Sequence, residues 1–142
     1  MPLVEIDDIP QVAMPFQNHD HAEEAELLNR AVDVLSAHRD GRASALDVLG
    51  PVEALLAHTR AHFAREDAIM VESGFPPYPV HQGEHARVLA GMEAEVEAFR
   101  ARGDAGRLWA YLTQAVPEWF VQHIQTMDAI TAQFASARLG PR

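Results

Sequence analysis

Histidine and acid positions carry the chemistry of this chain. His21 stands alone, Glu66 follows His62 by four residues, His85 follows His81 by four, and Asp128 follows His123 by five. Imidazole and carboxylate are ligands for first-row transition metals. Five imidazoles and two carboxylates, spread over four separable segments, make a ligand set for a pair of metal ions. Such a set works only if the segments bring it to one place.

Helical spacing does part of that work. Residues four apart on a helix differ by about 40°, so His62 with Glu66, and His81 with His85, share a face. His123 and Asp128 do not, because five residues leave them about 140° apart on an ideal helix. They can share a site only if Asp128 reaches around or a π-bulge absorbs one residue, a distortion frequent at functional sites. Local irregularity is therefore expected between 123 and 128.

The segments themselves read as helices. Residues 1–17 hold Pro2, Pro10 and Pro15 and are expected to form an extended arm. From Asn18, a candidate N-cap with Asp20, Glu23 and Glu24 in the first turn, apolar residues recur at Ala25, Leu28, Val32 and Leu35 up to a stop at Gly41. Ser44 with Asp47 starts a second helix, unless Pro51 is its true first residue; Ser73-Gly74 and the prolines after it end that helix. A third runs from about Val80 to Arg102. The last, about 105–137, contains Pro117, which should bend or split it. Nothing reads as a strand. The pattern predicts an all-α, up-down-up-down antiparallel four-helix bundle over 18–137, with the arm before it and a tail at 138–142.

Composition narrows the function. The 142 residues carry 21 acids against 11 bases, for a net charge of −10, and the bases are all Arg. Nucleic acid and anionic membranes, which need clustered cations, are poor partners. No apolar run spans a bilayer, so membrane insertion is not expected, and the N-terminus does not read as a signal peptide, which points to the cytoplasm. Without cysteine there is no thiolate site.

The combination of motifs resembles the hemerythrins, in particular the bacterial single-domain proteins of that family. His21 is followed at the family's interval by Asn29. His62-Phe63 with Glu66-Asp67 and Met70 is similar to the second-helix motif, Gly74-Phe75-Pro76 leads into His81 and His85, and Trp119-Phe120, His123-Ile124 and Asp128 resemble the fourth. The resemblance covers His21 to Asp128. It implies a non-haem centre of two iron ions with an oxo or hydroxo bridge. His81, His85 and His123 would be terminal ligands of one iron and His21 and His62 of the other, with Glu66 and Asp128 bridging. The first iron would then be six-coordinate, and the second would keep one open position for dioxygen. A site poor in anionic donors should bind dioxygen reversibly if its pocket stays dry, and Phe63, Trp119, Phe120 and Ile124 are the expected pocket residues.

Two residues depart from the family pattern. Glu24 and His58 stand where an apolar and an aromatic residue are usual, each one turn from a ligand of the open iron. They either turn outward, pair with each other, or support a ligand and supply protons. His19 and His38 are expected outside the site. The leading expectation is a dioxygen carrier, store or delivery protein, not an enzyme. The alternatives are an oxygen or redox sensor with an unknown protein partner, and a di-iron enzyme consuming peroxide or nitric oxide.

Overall fold

A computed structural model describes residues 2–142. It is an all-α bundle of four long helices: α1 (Pro15–Arg39), α2 (Ala45–Ser73), α3 (Tyr78–Arg102) and α4 (105–139). Side-chain pairs fix their directions. Arg60 meets Glu93 and Arg100 meets Glu53, so α2 and α3 run antiparallel; Gln17 meets Glu66 across α1 and α2 in the same sense. Arg107 on Glu95 and His81 on Thr131 set α4 antiparallel to α3.

Helix α1 starts a turn earlier than Asn18. Pro15 takes the first helical position, where its missing N–H is no loss, and Met14 is an N-cap without a side-chain bond. Asn18 instead serves the arm. Its Oδ1 accepts from Val12 N–H at 2.8 Å and its Nδ2 donates to Val12 C=O at 2.9 Å. Asn29 makes the same pair of bonds to Val4. Eleven residues are close to three turns, so both amides lie on one stripe of α1 and hold the arm along it. The arm also contains a short 3₁₀ turn at Ile6–Asp8 and buries Ile9 and Met14. Asp20 and Glu24 are buried rather than solvated first-turn acids.

Helix α2 opens on Ser44. Its Oγ accepts from Asp47 N–H while the Asp47 carboxylate accepts from Ser44 N–H, a reciprocal cap that satisfies two otherwise orphaned donors. Pro51 therefore lies inside the helix and does not start it. Gly74 and Gly103 end α2 and α3 with φ of +71° and +67°, conformations that cost other residues steric strain.

Helix α4 is continuous past Pro117 but contains two π turns, Tyr111–Ala115 and Ile124–Asp128. The first ends just before Pro117, where the backbone lacks an N–H for the ladder. One half of the bundle interior is apolar, built from Leu28, Leu35, Val52, Leu55, Met92, Phe99 and Leu108 among others. The other half holds most of the buried polar residues, flanked by two smaller apolar clusters around Phe120 and Ile69.

Candidate metal centre

The polar half gathers His21 from α1, His62 and Glu66 from α2, His81 and His85 from α3, and His123 and Asp128 from α4. All seven are at most 5% exposed. The second π turn supplies the one placement that an ideal helix could not. It widens the ladder by one residue between Ile124 and Asp128, and Asp128 Oδ1 stands 3.1 Å from His123 Nε2. Glu66 and His62 meet within one turn of α2, Nε2 to Oε2 at 2.9 Å.

Each carboxylate divides its oxygens between two sets of imidazoles. Glu66 Oε2 lies 2.9 Å from His62 Nε2 and 3.5 Å from His21 Nε2, while its Oε1 lies 3.1 Å from His85 Nε2. Asp128 Oδ2 lies 2.9 Å from His21 Nε2, while its Oδ1 lies 3.1 Å from both His81 and His123 Nε2. Ligand atoms of Glu66, His81, His85, His123 and Asp128 fall within 4.8 Å of one another, as do those of His21, His62 and Glu66. The result is a three-imidazole side and a two-imidazole side, joined by two carboxylates.

Several orphaned atoms show that this set suits cations. Glu66 Oε1, His85 Nε2 and Asp128 Oδ1 are buried without a hydrogen-bond partner, a costly state for polar atoms. Nitrogen faces nitrogen where His81 Nε2 meets His123 Nε2 at 3.2 Å. Burial disfavours charge on His62, but Glu66 and Glu24 outweigh it and hold its pKa well above 6.5; the same balance raises His21 and His85. Burial likewise disfavours charge on Glu66 and Asp128, yet the surrounding imidazoles keep both carboxyls below their ordinary values. The pocket favours paired opposite charges, which metal cations and carboxylates provide.

Outer contacts orient the rings. Asp67 Oδ1 accepts from His85 Nδ1 at 2.9 Å, and Thr131 Oγ1 lies 2.8 Å from His81 Nδ1. A carboxylate can only accept, so Nδ1 of His85 carries the hydrogen and Nε2 keeps its lone pair for a metal. Gln17 Nε2 donates to Glu66 Oε2 at 2.9 Å. Arg65 grips Asp20 with two bonds of 2.7 Å, a bidentate tie between α1 and α2 beside His21. Gln17, Asp20, Thr59, Arg65, Asp67 and Thr131 were not singled out by spacing. Each acts across a helix-helix contact, so no periodicity announces it.

The four expected pocket residues separate. Phe120 stands edge-on to His21 at 5.8 Å and packs with Ile124, Ala25 and Ile9 beside the two-imidazole side. Trp119 stacks on His123 at 4.4 Å and Phe63 on His85 at 4.0 Å, so both cover the three-imidazole side; Phe63 also tilts toward His62 at 5.5 Å. Glu24 and His58 do not turn outward. Glu24 accepts from Thr59 Oγ1 at 2.5 Å, and its Oε2 lies 3.3 Å from His58 Nε2 and 3.8 Å from His62 Nδ1. His58 Nε2 donates to the Asp20 carbonyl. His19 is largely exposed, and His38 bonds the Ala43 carbonyl after the end of α1, far along the helix from the cluster.

Comparison with known proteins matches the same span. The family model for the hemerythrin HHE cation binding domain covers residues 14–135. A bacteriohemerythrin of Ralstonia nicotianae is 34% identical over 99% of this chain and 94% of its own length. A bacteriohemerythrin of Aquifex aeolicus is 25% identical over 92% of this chain and 96% of its own. No solved structure matches the chain significantly. With an all-α bundle, a buried His and carboxylate cluster, and a family match from the start of α1 almost to the end of α4, the chain belongs to the hemerythrin family.

Proposed function

We propose that the chain binds dioxygen reversibly, as a carrier, store or delivery protein, at a centre of two iron ions with an oxo or hydroxo bridge. His81, His85 and His123 would hold one ion and His21 and His62 the other, with Glu66 and Asp128 shared between them. The observation that carries this reading is the division of each carboxylate, one oxygen toward each set of imidazoles. The unequal sets leave the two-imidazole side one donor short, so that side would offer the position for dioxygen. Iron bound there would supply the electrons for reversible dioxygen binding.

The chain's own residues set the conditions. Phe120, Ile124 and Ala25 wall the His21 side with apolar surface, and Ile9 of the arm closes it from outside. Water and protons are thereby kept away, which favours release over further reduction. Asp67 and Thr131 fix His85 and His81 from behind. Glu24 with Thr59 and His58, beside His62, favours a second reading, consumption of peroxide or nitric oxide, because polar groups there could deliver protons.

The test is iron-loaded, reduced protein exposed to air and then stripped of oxygen. Two irons per chain are expected, with visible charge-transfer bands that appear in air and vanish on degassing. Bands that never form, or that persist after degassing, sink the carrier reading. Catalytic turnover of peroxide or nitric oxide would favour the second one.

A further inference from the structure

Two buried polar atoms face each other beside the two-imidazole side, Glu24 Oε2 and His62 Nδ1, 3.8 Å apart. Neither has a hydrogen-bond partner among the described residues. Their side chains are only 8% and 3% exposed, so solvent does not serve them, and leaving either atom unpaired is costly. The other donors near Glu24 are engaged. The Thr59 hydroxyl holds Oε1, and His58 Nε2, 3.3 Å from Oε2, donates to the Asp20 carbonyl at 3.1 Å.

A neutral imidazole carries one N–H and one lone pair. His62 turns Nε2 toward Glu66 and the cluster, so an ion held by this ring takes the lone pair of Nε2. The hydrogen must then sit on Nδ1, on the side of Glu24. We propose that Glu24 is the positioning residue of His62: its Oε2 accepts from Nδ1–H, fixes the ring and makes Nε2 a stronger donor to the ion. A shift of about 1 Å brings the pair to hydrogen-bond length. Asp67 stands in the same relation to His85, at 2.9 Å. Each side of the cluster then has one imidazole backed by a carboxylate, while His21 Nδ1 has no partner. A carboxylate spent on His62 has no proton to give, which weighs against Glu24 as a donor to peroxide. The inference rests on the reading of His62 as an ion ligand and not on dioxygen.

NMR of zinc-loaded protein with isotope-labelled histidine tests it. The His62 Nδ1 proton should lie downfield and exchange slowly with solvent. Glu24→Gln keeps an acceptor of similar shape without its charge. It should move that proton upfield and weaken the ion on this side about 10-fold in competition with a chelator. Glu24→Leu also removes the acceptor, so the loss should approach about 100-fold and the proton should exchange faster. Iron-loaded Glu24→Gln should have a higher reduction potential than the parent, because a weaker donor favours the ferric state less. A role in packing alone would move neither the proton nor the potential in Glu24→Gln. If both stay put while His62 Nε2 still shows the shift of a metal-bound nitrogen, the proposal is overturned and the metal centre stands. If Nε2 shows no such shift, both fall. Should Glu24→Leu not fold, Glu24→Gln decides the matter.

Discussion

At the scale of single residues, the outer contacts of the cluster are as informative as its ligands. Asp67 holds His85 through a 2.9 Å bond from Nδ1, so removing its charge while keeping its shape tests how far a carboxylate behind an imidazole strengthens metal binding. Asp67→Asn is expected to weaken metal affinity by about 10- to 100-fold, read by competition with a chelator. Thr131→Val, which removes a neutral partner from His81, should cost less. If Asp67→Asn binds metal as the parent does, Asp67 is not a supporting group for His85. The seven candidate ligands were legible in the sequence because residue type and spacing are written there. Their supports were not. Asp67 reaches α3 from α2 and Thr131 reaches α3 from α4, and only the packing angles of the bundle create those pairs. Phe63 shows the same limit: adjacency to His62 suggested one side of the cluster, while the ring stacks on His85.

At the scale of elements, α1 does two jobs that its sequence pattern partly conceals. One face carries His21 and Glu24 inward, and another carries Asn18 and Asn29, each with both amide groups spent on the backbone of the arm. Asn18 looked like a cap because Asn favours that role, but Pro15 at the first helical position wins the helix start. The four bonds hold Ile9 against Phe120 and Ile124. Asn29→Ala should speed amide hydrogen exchange at Val4 and leave Val12 protected, and Asn18→Ala should do the reverse. Global stability should change by no more than about 1–2 kcal/mol in either variant, since two modest hydrogen bonds are lost and Ala favours the helix. Equal acceleration at Val4 and Val12 in both variants would mean that the arm is released as one unit, against the two-clamp account. Helix α4 gives the opposite lesson about legibility. The five-residue interval from His123 to Asp128 pointed to local irregularity, a π-bulge among the options, whereas nothing but Pro117 hinted at the turn over Tyr111–Ala115, and Pro117 suggested a bend or a split instead.

For the molecule as a whole, the buried cluster makes stability depend on pH in opposite ways with and without metal. In the metal-free chain, burial opposes charge on His62, His21 and His85, but the carboxylates prevail and raise their pKa values above 6.5. A raised imidazole contributes stability fully below 6.5, and that contribution is lost as pH rises through the folded value. Glu66 and Asp128 are shifted down from 4.5 and 3.8. Their contribution is present above those values and is lost as pH falls through the lowered ones. Metal-free protein should therefore be most stable between about pH 4.5 and 6.5 and should lose stability toward pH 8. Bound metal reverses the upper side, because its ligands must give up their protons, so affinity and the stabilisation it brings grow with pH. The melting temperature of metal-loaded protein should exceed that of the metal-free form by a gap that widens from about pH 6 to pH 8. Chelated and loaded samples melted in parallel across that range measure the gap. A constant gap, with metal-free protein no less stable at pH 8 than at pH 6, would show that the imidazoles are not held in their charged form by Glu66 and Asp128.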